Sequence, residues 1–199
     1  MGRIMSETKS RAIILVPLAV IMVLIAFLLL GYLLTIAFQL PSRLNLSTPI
    51  RVIGVLTLLL GLLFLGWFFR HRRPTDVLVS TYVTFSKMVR GVRLEERSFR
   101  TEPLVVKGPY RYVRHPLYSG VLVLLAGWWL LLDYSFLLVS TLLAFVWFTA
   151  VVTPFEEKEL RAIFGEDYEL YAREVPRMIP FIRFRSKKRH LWRAQEPRG

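Results

Sequence analysis

Val106 to Tyr118 reads VKGPYRYVRHPLY, a run of cations, aromatic rings and prolines set directly before an apolar stretch. Gly108-Pro109 predicts a turn. Pro116 suits the first turn of a helix, where its missing N–H does no harm, so His115 falls at a helix N-terminus. A second polar cluster, FEEKELRAIFGEDYELYAREVPRMIP, follows at Phe155 to Pro180. Between the two lie apolar residues broken by Asp133, enough for a hairpin of two helices. A chain that returns charge to the water interface at both feet of such a hairpin builds a site there, beside lipid.

Outward from this hairpin, the pattern is that of an all-α integral membrane protein with about four transmembrane helices. The chain has 199 residues, 54% of them hydrophobic, and a mean hydropathy of +0.47. That is too apolar for an ordinary soluble domain. A span needs about 20 apolar residues. Residues 12–40 and 50–69 supply the first two spans, and residues 117–132 and 134–152 the third and fourth, the third being short. The apolar core at 12–40 is longer than that of a signal peptide and lacks a small-residue cleavage site. Pro41 to Pro49 is a polar turn, and Arg70 to Arg73 with Pro74 end the second span. Residues 75–106 form a polar connection whose first half predicts an amphipathic interfacial helix or an irregular re-entrant segment. Residues 155–182 continue the fourth helix into an amphipathic segment, with Gly165 as a C-cap. Tyr171 to Pro180 is short and bounded by Pro, and predicts a segment folded back as a lid. The whole reads as a single membrane domain.

Net charge is +13, and the basic residues are segregated. The tail at 183–199 carries Arg183, Arg185, Lys187, Lys188, Arg189, Arg193 and Arg198 against Glu196. Beside membrane helices, such a tail predicts attraction to anionic headgroups rather than to nucleic acid. Lys and Arg also set orientation: the N-terminus, the connection after the second span and the tail are basic, while the other two turns are poor in Lys and Arg. Both termini are therefore expected in the cytoplasm, in a multi-pass protein of the plasma membrane. The absence of cysteine excludes disulfides, thiolate nucleophiles and Cys-ligated zinc. His71, His115 and His190 lack metal-ligand spacing, and no metal is expected. No dinucleotide-binding or phosphate-binding glycine loop occurs.

What remains is a site of carboxylates, guanidinium groups and aromatic faces. Tyr110, Arg111, Tyr112, Arg114 and His115 form either a snorkelling interfacial belt or a ligand site. A belt needs neither His-Pro at a helix start nor this density of donors. Glu156, Glu157 and Glu159 form either a solvated helix face or a carboxylate cluster facing those cations, with Glu156 and Glu159 able to share one face. Such a set suits a zwitterionic, cationic, purine-bearing ligand, since a sulfonium is drawn to ring faces and carboxylates.

LVVKGPYRYVRHPLY, then a helical hairpin, then EEKELRAIFGEDYELYAREVPRMIP, resembles the isoprenylcysteine carboxyl methyltransferase family and its prokaryotic members, which belong with the phospholipid N-methyltransferases. The resemblance covers about Glu102 to Phe181. It implies a membrane enzyme that uses S-adenosylmethionine on a lipophilic, membrane-borne acceptor. It further implies that the cofactor is held by Glu102, Pro103, Leu104, Val105, Tyr110, His115, Pro116, Leu117, Tyr118 and Glu156. No residue is assigned as catalytic. Arg111 and Arg114 are candidates for holding an acceptor's phosphate or carboxylate, and Glu157 for deprotonating an amine acceptor. Eukaryotic members place an arginine four residues before the cofactor glutamate; Val152 stands there in this chain, which argues against prenylcysteine as acceptor. The same C-terminal pattern also resembles NADPH-dependent membrane sterol and steroid reductases, which are larger. A membrane scaffold that holds anionic lipid is the non-enzymatic alternative. The sequence leaves the acceptor, O- versus N-methylation and the oligomeric state open.

Overall fold

The computed structural model describes residues 2–90 and 104–180. Helix α1 spans Gly2–Ala37, α2 Thr48–His71, α3 Pro74–Arg90, α4 Pro116–Leu132, α5 Ser135–Trp147, α6 Thr153–Phe164 and α7 Glu166–Glu174. A 3₁₀ turn covers Gly108–Arg111, and a π turn at Phe148–Val152 joins α5 to α6. α1, α2 and the continuous Ser135–Phe164 helix are long and apolar enough to cross a membrane, and Pro116–Leu132 is a shorter apolar helix. The protein is thus an all-α membrane protein. The α1 helix stops at Ala37, and Phe38 and Gln39 form a turn, Gln39 with φ 51°. The expected first span of 12–40 is shortened there.

The π turn has a local cause. Pro154 sits inside a helix that otherwise runs without a break from Ser135 to Phe164. It has no N–H to give to the Ala150 carbonyl, and the helix widens by one residue rather than stopping. The first half of the polar connection is the helix α3 rather than an irregular segment. Residues 91–103, including Glu102 and Pro103, and the basic tail lie outside the described residues.

α2 and α4 pack antiparallel through glycines. A Cβ on Gly54 would lie 2.7 Å from the Leu131 backbone N, and one on Gly127 would lie 2.8 Å from the Leu58 backbone N. Gly61 receives Leu124, and Gly120 receives Leu65. Each helix thus offers two glycines, spaced two turns apart, to leucines of the other. Where lipid is as apolar as leucine, close approach of this kind is what holds helices together. Gly127→Leu is therefore expected to cost about 1–3 kcal/mol of unfolding free energy in detergent, because its backbone neighbour cannot move aside. Gly66→Ala, which meets nothing within 4 Å, is the control expected to be neutral. Equal melting of the two variants would refute this packing.

At the end of the bundle remote from the two polar clusters, Asp133 closes the α4–α5 turn. It takes the left-handed conformation (φ 63°) and is fully buried. Its Oδ2 accepts from the Leu46 N–H at 2.9 Å and from Arg51 Nη2 at 3.2 Å. Arg43 lies over the Tyr134 ring at 4.5 Å and donates to its hydroxyl. The loop between α1 and α2 is thereby tied to the turn between α4 and α5.

Candidate active site

At the other end, the chain before α4 is held from both sides. Gly108 has φ +60°, and a Cβ there would lie 2.6 Å from the His71 ring at the end of α2, so the close approach and the positive φ both call for glycine. The Arg114 and His115 N–H groups donate to the carbonyls of Pro176 (2.9 Å) and Arg177 (3.0 Å), and Ser119 Oγ donates to the Met178 carbonyl at 2.8 Å. The Tyr171 hydroxyl donates to the Tyr110 carbonyl at 2.8 Å. The segment after α7 therefore does fold back, as a strap hydrogen-bonded to the start of α4.

Glu156 and Glu157, adjacent on α6, go to different places. Glu156 Oε1 accepts from the Tyr118 hydroxyl at 2.8 Å, and Oε2 lies 3.2 Å from His115 Nδ1. Tyr118 is sandwiched between the rings of His115 and Phe148, with centroids 5.9 and 4.8 Å away. Phe148 opens the π turn, so the extra residue helps aim the ring that orients Tyr118. His115 is buried; its Nε2 lies 3.4 Å from Glu157 Oε1. Burial pulls its pKa down, but hydrogen bonds to Glu156 and Glu157 outweigh burial and raise it above the ordinary 6.5. Both ring nitrogens face carboxylates, as an imidazolium requires.

Glu157 is fully buried and is the hub of an ion network. Arg177 grips it with two bonds, Nε to Oε1 at 2.9 Å and Nη2 to Oε2 at 3.0 Å. Arg114 Nη1 reaches Oε1 at 2.9 Å, and Arg161 Nη2 lies 3.6 Å from Oε2. Three guanidinium groups and His115 surround its oxygens, and Glu157, the candidate base, does not line the cleft described next. Glu159 is fully buried and lies outside that cleft.

Glu156 opens onto a cleft of about 810 Å³, counting its mouth. Leu104, Val105, Tyr110, His115, Pro116, Leu117, Tyr118 and Glu156 all line it. These are the described members of the expected cofactor set. Arg114 lines the cleft as well; Arg111 is exposed on the 3₁₀ turn and does not. Sequence reasoning missed the opposite wall: Phe68 on α2, Arg72 just after it, and Val77, Ser80 and Thr81 from α3. The only signal was the amphipathic pattern of α3, which gives a polar face but not what it faces. Tyr168 and Tyr171 complete the lining from α7. Burial, then the Glu157 charge, raises the Tyr168 pKa to about 12, and burial raises that of Tyr171 too, so both hydroxyls remain donors.

The phospholipid methyltransferase family pattern matches residues 50–167, which run from α2 through this cleft to the start of α7. The chain is 38% identical over 133 residues to a methanethiol S-methyltransferase of Crocosphaera subtropica, covering 61% of this chain and 46% of that protein. It is 34% identical over 124 residues to the protein-S-isoprenylcysteine O-methyltransferase of Schizosaccharomyces pombe, covering 62% of this chain and 48% of that protein. A second methanethiol S-methyltransferase, from Bradyrhizobium diazoefficiens, is 35% identical over 142 residues, or 66% of this chain and 50% of that protein. The chain spans about half the length of these curated relatives. No solved structure matches it. With more than half of its residues inside the family pattern, and with the two polar clusters of that stretch meeting at one cleft, the chain belongs to the phospholipid methyltransferase family.

Proposed function

We propose that this protein is an S-adenosylmethionine-dependent methyltransferase acting on a lipophilic acceptor that approaches from the bilayer. The observation that carries this reading is the cleft itself. Residues implied by motif resemblance, far apart in sequence, line one cavity beside the membrane-spanning helices. The relatives support the same chemistry, being named as methyltransferases for a thiol and for isoprenylcysteine. We also place both termini in the cytoplasm, on the Lys and Arg bias.

The donor set fits the proposed cofactor. Glu156, with its two oxygens oriented by Tyr118 and His115, suits an ammonium or a ribose diol. Arg72 and Arg114 suit a carboxylate, and the Tyr110 ring in the cleft lining suits a sulfonium or a purine. When bound, S-adenosylmethionine supplies a methyl group on a positively charged sulfur. The chain's own task is then alignment and exclusion of water. α3 and α7 wall the cleft, and the stacked His115–Tyr118–Phe148 rings hold the Glu156 carboxylate in one place.

The test is calorimetry of the detergent-solubilised protein with S-adenosylhomocysteine. Micromolar binding is expected, about −8 kcal/mol at 1 μM. Glu156→Gln should weaken it by about 1–3 kcal/mol, since a desolvated charge-assisted bond is lost. Binding of NADPH with no response to S-adenosylhomocysteine would favour the reductase instead.

A further inference from the structure

One face of α2 is left uncovered by its neighbours. Leu56, Leu60, Leu63 and Trp67 recur every three or four residues, so they share one side of the helix, and all four are exposed. Arg70, the next residue at that spacing, is exposed too. α2 is apolar enough to cross a membrane as far as His71. The stripe is therefore apolar through the depth of the bilayer and cationic where the helix reaches the headgroups.

A second segment joins the stripe at its cationic end. The Tyr112 ring packs edge-on against Trp67, with centroids 5.7 Å apart, and Gly108 is seated on the His71 ring. These two contacts bring Lys107 and Arg111, both exposed, to the end of α2. Residues 67–73 and 107–112 together carry Arg70, Arg72, Arg73, Lys107 and Arg111 and no Asp or Glu. Arg70, in the last turn of α2, suits the negative end of the helix dipole. Lys107 and Arg111 come from another segment, and that helix end does not account for them. Trp67 and Tyr112 are ring types that settle between acyl chains and headgroups. Tyr110 on the same turn and Arg72 just past α2 line the candidate active-site cleft, so the cation cluster stands at the cleft's edge.

From this apolar stripe, ending in a cluster of cations without a carboxylate, we propose that the uncovered face of α2 is a docking site for an anionic phospholipid of the surrounding leaflet. Its acyl chain lies along Leu56, Leu60 and Leu63, and its glycerol backbone meets Trp67 and Tyr112. Its phosphate sits among Arg70, Lys107 and Arg111 as a charge-assisted partner. A zwitterionic choline headgroup brings a cation of its own into that cluster, and like charges disfavour it. A soluble phosphate finds the cations but not the stripe. The lipid is held as a fixture of the protein, and the inference does not depend on the methyltransferase reading.

The test uses the full-length protein in phosphatidylcholine vesicles that contain a fixed fraction of brominated phosphatidylglycerol or brominated phosphatidylcholine, and it reads the quenching of tryptophan fluorescence. Brominated phosphatidylglycerol is expected to reach the protein with an affinity at least about fivefold above that of brominated phosphatidylcholine, the factor that one cation at a membrane surface supplies. Trp67→Phe keeps a ring on the stripe but removes the reporter there, and should abolish the excess quenching. Arg70→Gln, Lys107→Gln and Arg111→Gln combined should abolish the preference itself, whereas Arg70→Lys with Arg111→Lys should keep it. Glycerol 1-phosphate at millimolar concentration should not compete. Equal quenching by the two lipids in the wild type would overturn the inference. A preference that survives the triple Gln variant would also overturn it, by placing the anionic lipid on the basic tail. Full competition by glycerol 1-phosphate would do so too, by making this a phosphate site with no part for the acyl chain.

Discussion

Glu157→Ala is expected to destabilise the protein by about 3–5 kcal/mol, the cost of leaving buried charges without their partner. The carboxylate is fully buried, and it is the anion that Arg114, whose side chain is 12% exposed, pairs with among the described residues. Arg177 is 40% exposed and can regain water, so the penalty comes chiefly from Arg114 and from His115. The strap should loosen as well, because Arg177 links it to α6. Thermal unfolding in detergent, followed by tryptophan fluorescence, measures the loss. A double-mutant cycle separates network from bulk: Glu157→Gln with Arg114→Gln should be less damaging than the sum of the singles, since the pair is removed together. Unfolding of Glu157→Ala at the wild-type temperature would show that the network contributes nothing to stability.

Asp133→Ala should cost about 2–4 kcal/mol at the other end of the bundle, through two effects on one residue. A buried carboxylate that satisfies the Leu46 N–H is lost, leaving that donor unpaired. An alanine must also adopt φ near 63°, which aspartate and asparagine tolerate better. The ion pair with Arg51 adds less, because Arg51 is 42% exposed. Asp133→Asn keeps the conformation and one acceptor oxygen, so it should recover most of the loss. Denaturant titration of the three proteins checks the order wild type, Asn, Ala. If Asn were as damaging as Ala, the charge rather than the turn geometry and acceptor would be the main contribution. Binding of S-adenosylhomocysteine by the folded fraction should be unchanged, since this clamp lies at the far end.

Much of the frame was legible in the chain. Apolar length alone marked the helices, because a bilayer imposes one length scale on every span. Asp133 was recognisable as a turn, and Pro116 as a helix start. Pro154 was visible too, but its consequence was not: a proline can stop a helix or widen it, and only the packing of α5 and α6 as one rod selects the π turn. The paired clusters announced a site, yet the adjacent glutamates could not be told apart. Their side chains point about 100° from one another around a helix, and which direction meets water and which meets Arg114 and Arg177 depends on where α4 and the strap lie.

Local pattern along the chain therefore determined the class of protein, the apolar stretches that become its long helices, and the residue types at the site. Those depend on hydrophobicity, on helix-starting and helix-ending residues and on motif spacing, all short-range properties. Tertiary structure alone decided that Glu156 faces a cleft while Glu157 is buried among cations, that Arg111 is outside and Arg114 inside, and that α3 closes the cleft. The physical reason is that burial and charge pairing are sums over neighbours from distant parts of the chain. His115 meets Glu156 across 41 residues, and Ser119 meets the strap across 59. No window along the sequence contains both partners.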